Sequence, residues 1–91
     1  MALKMAELHY SGRVQGIGFR FVAERFANDY KVFGYVRNMA DGRVELVVEG
    51  EEKKLKDYLQ ALYEEMGGFI DTYSINWFPA AGQFNNFSIR Y

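Results

Sequence analysis

Three glycines and a terminal arginine stand close together in Gly12-Arg13-Val14-Gln15-Gly16-Ile17-Gly18-Phe19-Arg20, between a segment that alternates like a strand and one that repeats like a helix. Glycines let successive backbone N–H groups turn inward as a nest, the start of the following helix adds unpaired donors and a positive dipole end, and Arg20 supplies a planar charged fork. A phosphoryl group suits such a pocket. The same residues would also make a plain flexible strand-to-helix turn with a surface arginine, and taken alone they admit both readings equally. Two other phosphate motifs are excluded. A dinucleotide fingerprint beginning at Gly16 meets Phe21 where its third glycine belongs, and no Gly-Lys-Ser/Thr is present for a P-loop.

The elements that must hold this loop follow from periodicity. Residues 5 to 11 alternate, with Ala6, Leu8 and Tyr10 on one side and Glu7, His9 and Ser11 on the other, as in a strand wetted on one face. Val22, Ala23, Phe26, Ala27 and Tyr30 recur at helical spacing, opposite Glu24, Arg25 and Asp29. Residues 32 to 38 and 43 to 49 are β-rich and meet at Asp41-Gly42, a dipeptide suited to a hairpin turn, which puts Val44, Leu46 and Val48 toward the core. Residues 51 to 66 carry Leu55, Leu59, Leu62 and Met66 on one helical stripe that Gly67-Gly68 stops. Tyr73, Ile75 and Trp77 alternate in a further strand, residues 79 to 82 break it, and Phe87, Ile89 and Tyr91 mark a last one. The order β-α-β-β-α-β, with an extra short strand segment near the end, predicts an α+β fold. Right-handed crossovers put both helices on one face of an antiparallel sheet, which is the ferredoxin-like split βαβ sandwich.

Composition bounds the rest. Ninety-one residues, 49% hydrophobic and 18% aromatic, suit one packed domain over residues 1–91. A net charge of −1 with no basic run speaks against a nucleic-acid partner. No apolar stretch approaches membrane-spanning length and the start lacks a signal-peptide core, so a cytoplasmic protein with no membrane partner is expected. The absence of cysteine excludes disulfides, thiolate metal sites and a cysteine nucleophile, and the single histidine, His9, excludes a histidine-rich metal centre. No metal and no cofactor is expected.

The segments 13–20, Gly34-Tyr35-Val36-Arg37-Asn38 and Asp41-Gly42-Arg43-Val44-Glu45, with the closing Phe84, Phe87, Ile89, Arg90 and Tyr91, resemble the acylphosphatase family over nearly the whole chain. The resemblance implies hydrolysis of a carboxylic-phosphoric mixed anhydride, a small acyl phosphate, to a carboxylate and inorganic phosphate. It also implies that Arg20 binds the phosphoryl group together with the loop residues Gln15, Gly16, Ile17, Gly18 and Phe19, and that Asn38 orients the attacking water. Ile17 stands where valine is usual, which adds one methylene. Met39 follows Asn38 where family members often carry a smaller or polar residue, so a more apolar edge to the acyl-group site is expected. Without the resemblance, Asn38 reads as a turn-former before Met39-Ala40-Asp41-Gly42.

Other residues have simpler readings. His9 falls on the polar side of its strand, Arg13 and Arg37 are expected to be solvated, and the charged run 51–56 reads as the wet start of a helix. Phe26, Tyr58, Trp77 and Phe87 fall on inward patterns. An RNA-recognition sheet shares the element order, but here the open face of the third strand would present Glu45 and Glu49, which repel phosphates. A non-catalytic anion-binding module, or a detached domain of a larger hydrogenase-maturation enzyme, is the alternative to a free-standing, monomeric hydrolase.

Overall fold

The computed structural model describes residues 3–91. Its elements run β1 (Leu3–Gly12), α1 (Phe19–Tyr30), β2 (Phe33–Asn38), β3 (Val44–Glu51), α2 (Glu52–Met66), a single 3-10 turn (Gly67–Phe69), β4 (Ile70–Pro79) and β5 (Phe87–Arg90). The strands form one sheet in the order β4-β1-β3-β2-β5. Its first four strands have the split βαβ arrangement that the element order predicts.

Alternation decides which face meets the helices. Ala6, Leu8 and Tyr10 on β1 and Val44, Leu46 and Val48 on β3 are buried, and they share a core with Phe19, Ala23 and Ala27 of α1 and Leu55, Tyr58 and Leu62 of α2. Leu59 lies only partly buried at its rim. The helices are also tied directly, since the buried Tyr58 hydroxyl donates to the Ala23 carbonyl at 2.9 Å. The hairpin forms at the expected dipeptide, although Gly42 alone of the pair takes a positive φ, 96°.

Three expectations need correction. First, the sheet is mixed, because β5 pairs parallel with β2 at the edge opposite β4. The chain between them, residues 80–86, must cross four strand spacings, roughly 19 Å, which seven residues can span at about 3.3 Å each. It does so over the face turned away from the helices: the Phe84 N–H donates to Glu49 Oε1 at 2.8 Å, and the Phe84 ring lies 6.0 Å from that of Tyr35.

Second, Glu45 and Glu49 lie on that face but are buried. Glu45 stands opposite His9 and Arg37 in the register. It accepts from Arg37 Nε at 2.6 Å, Tyr35 OH at 3.1 Å and His9 Nε2 at 3.1 Å. Arg37 is therefore paired although its side chain stays 42% exposed, and the face is neither open nor bare acid. Third, Trp77 and Tyr73 sit in register with Ala6 and Tyr10, on the core side, yet both are exposed. They belong to the edge strand β4, where no further strand among the described residues flanks them and α2 covers them only in part, with the Tyr63 ring 5.7 Å from that of Tyr73.

Candidate active site

The glycine loop runs over residues 13–18, from the end of β1 to the first turn of α1. Gly16 and Gly18 have φ of 78° and 84°, conformations that L side chains adopt only under strain. A Cβ at either position would meet nothing within 4 Å, so backbone conformation and not crowding selects glycine there. Gly18 caps α1 without a side chain, and the first turn carries no acidic residue. The first-turn N–H groups thus have no intrahelical partner, and the positive end of the helix dipole is left unneutralised.

Apolar anchors hold the loop from below, with Val14 and Phe19 buried and Ile17 packed against the core. A polar latch holds it from the side. Gln15 Nε2 donates to the Met39 carbonyl at 2.8 Å and to the Arg43 carbonyl at 3.0 Å, which joins the loop to the β2–β3 hairpin. Asn38 is the last residue of β2, so the same latch brings the end of that strand beside the start of α1.

Between them lies a cavity of about 240 Å³ lined by Val14, Gly16, Gly18, Phe19, Arg20, Phe21 and Asn38. The structure thus brings Gly16, Gly18, Phe19, Arg20 and Asn38 together. Gln15 and Ile17 are not in the lining; they support it. Among the described residues that line it, Arg20 alone is formally charged, and its guanidinium lies 4.8 Å from the centroid of the Tyr91 ring. Such a cavity attracts an anion and offers it a bidentate donor, backbone donors and one neutral amide.

Periodicity missed two walls. Phe21 is 63% exposed and borders the cavity, and it escaped notice because it falls off the apolar stripe of α1. Val14 carried no signal besides its place in the loop. Met39 is absent from the lining, so the apolar edge expected from it is supplied by Phe21 and Phe19. His9 lies on the other face of the sheet, bound to Glu45.

The acylphosphatase family model matches residues 6–89. The chain belongs to the acylphosphatase family. An acylphosphatase from Roseiflexus sp. is 36% identical over 90 residues, which cover 98% of this chain and 97% of that one. The crystal structure of acylphosphatase from Bacillus subtilis superimposes with a TM-score of 0.86 at 30% identity, covering 97% of this chain and 99% of the other. The structure of HypF from T. kodakarensis aligns with a TM-score of 0.82 at 31% identity over 97% of this chain but only 12% of its own. The acylphosphatase fold therefore occurs both at this length and as a small part of a longer protein.

Proposed function

We propose that this acylphosphatase-family chain hydrolyses an acyl phosphate to a carboxylate and inorganic phosphate, and that the cavity between the glycine loop and β2 is where it does so. The observation that carries the reading is the meeting of Arg20, Asn38 and the uncapped start of α1 in one cavity with no acidic residue among the described residues that line it. Arg20 and the N–H groups of residues 15–20 hold the phosphoryl oxygens. A guanidinium does this with two parallel bonds, which a lysine cannot reproduce. Asn38 accepts from the attacking water through its side-chain carbonyl and donates through its amide, so it positions the nucleophile without taking a proton.

Orientation and charge stabilisation suffice because phosphoryl transfer needs little covalent assistance and an acyl phosphate brings a good leaving group. Phe21 and Phe19 offer an apolar surface to the acyl part. We further read the chain as one domain over residues 1–91, acting as a cytoplasmic monomer; relatives of similar length support the first part of this reading. No helix of the described residues is long and apolar enough to cross a membrane. A second reading, that the fold serves as one part of a larger enzyme, is favoured by its likeness to a short stretch of HypF.

The test is release of phosphate from benzoyl phosphate, with 4-nitrophenyl phosphate as the control. Turnover of the anhydride and not of the monoester is expected. An inactive folded protein that still binds phosphate at the loop would favour the second reading.

A further inference from the structure

A second cavity, of about 260 Å³, lies on the face turned away from the helices, under the strap of residues 80–86. It borders Leu3 and Phe33, the first residues of β1 and β2, whereas the glycine loop and Asn38 stand at the last residues of those strands. The length of β2 separates the two cavities by roughly 17 Å. The walls are apolar, from Leu3, Phe33 and Phe84, and the rim carries Lys31, Lys54 and Glu51.

One lining residue is out of keeping with those walls. Glu49 is only 4% exposed. Its Oε1 accepts the Phe84 N–H at 2.8 Å, while its Oε2 is buried and meets no donor among the described residues. Neither rim lysine supplies that donor. Buried polar atoms are nearly always paired, because an unpaired one forfeits its bonds to water. Glu49 lines the cavity, so this oxygen is the acceptor that a ligand held there would engage.

We propose that this cavity binds a small organic ammonium, a primary amine on an apolar body about the size of one aromatic ring, with the ammonium on Glu49 Oε2 and the body between Leu3, Phe33 and Phe84. The chemistry selects this class over others. An anion would meet the Glu49 carboxylate. A hydrocarbon would leave Oε2 unpaired. A divalent cation requires several oxygen ligands, and Glu49 with Glu51 at the rim, beside Lys31 and Lys54, does not make such a group among the described residues.

The test uses the folded chain with its amide resonances assigned, titrated at neutral pH with 2-phenylethylamine and, separately, with its neutral counterpart 2-phenylethanol. Saturable shifts are expected at the amides of Gly50, Gly82 and Phe84 with the amine, and none at residues 16–20, which inorganic phosphate should shift instead. The alcohol should bind at least about tenfold more weakly, because a charge-assisted bond is replaced by a neutral one. Glu49→Gln should weaken the amine by a similar factor and leave acyl phosphate hydrolysis unchanged. No binding of the amine, equal binding of amine and alcohol to the native chain, or undiminished binding to a folded Glu49→Gln variant would each overturn the proposal.

Discussion

The side-chain amide of Gln15 reaches out of the glycine loop and donates to the Met39 carbonyl, 2.8 Å away, one residue beyond Asn38. A second bond from the same nitrogen reaches the Arg43 carbonyl at 3.0 Å. The hairpin and the loop are separated by all of α1, and this nitrogen fixes the distance between the loop donors and the end of β2. Gln15→Ala should therefore cost about 1–2 kcal/mol of stability, the worth of two neutral hydrogen bonds, as read from denaturant midpoints. It should also lower kcat several-fold, since an ångström of drift between a bound phosphoryl group and Asn38 spoils alignment. A variant with native kcat would show that the latch does not set the geometry of the site.

Arg20 and Asn38 should fail differently when replaced. Arg20→Lys removes a fork used in both ground and transition states, so KM for benzoyl phosphate and the inhibition constant of inorganic phosphate should rise together while kcat falls. Asn38→Ala leaves the anion nest intact and frees the water. Its kcat should fall by at least about 10²-fold, with phosphate inhibition little changed. If a folded Asn38→Ala protein turned over at the native rate, another group would have to orient the water.

Much of this arrangement could be read from the residues alone, and the gaps have physical causes. The loop was readable because glycine-rich spacing between a period of 2 and a period of 3.6 leaves few alternatives. Asn38 by itself carried no signal, since a turn-former and a water-positioner look alike before the fold brings Arg20 beside one of them. Alternation told which side Glu45 and Glu49 point to, but not that the strap of residues 80–86 crosses that side and buries Glu49. It likewise placed Tyr73 and Trp77 on the helix side without telling that β4 is an edge. The four residues of β5 are too short to announce a partner, and their parallel pairing with β2 follows from a crossing that only the folded sheet defines.

Phe21 offers a separable effect. It is exposed, borders the cavity and lies outside the core, so Phe21→Ala should leave stability within about 0.5 kcal/mol of native. In the proposed reaction its ring serves the acyl group and not the phosphoryl group. KM for benzoyl phosphate should rise about three- to tenfold, corresponding to about 1 kcal/mol of lost apolar contact, while KM for acetyl phosphate changes little. Equal changes for both substrates would mean that the acyl group leaves the cavity by another side.

Among the described residues, the cavity lining contains no carboxylate, imidazole or thiolate, the side-chain donors that hold a catalytic divalent ion. Hydrolysis of benzoyl phosphate should accordingly be unchanged by a chelator such as EDTA. His9→Ala should leave kcat intact, since that side chain binds Glu45 on the far face. Loss of activity in chelator, restored by adding a divalent ion, would contradict the role given to Arg20.

Glu45 couples the far face of the sheet to pH. Burial pushes its carboxyl pKa up, but the bonds from Arg37, His9 and Tyr35 outweigh burial and hold it below the ordinary 4.5. A group whose pKa is lower in the folded than in the unfolded chain stabilises the fold above its unfolded pKa and loses that contribution as pH falls through its folded value. Native stability should thus begin to drop below about pH 4.5 and continue to drop with further acid. Glu45→Gln should be less stable than native at pH 7 by about 1–3 kcal/mol, the range for bonds to a charged group that leave partly buried donors behind. That gap should narrow at pH 3, where the native carboxyl is itself gaining a proton. Arg37→Met removes one of the partners that hold the carboxylate, so its folded pKa lies nearer the unfolded one and less stability should be lost between pH 7 and pH 3 than in the native chain. Denaturant midpoints at pH 7 and pH 3 for the three proteins check this, and a gap between native and Glu45→Gln that stayed constant across both would mean that Glu45 titrates alike in the folded and unfolded chains.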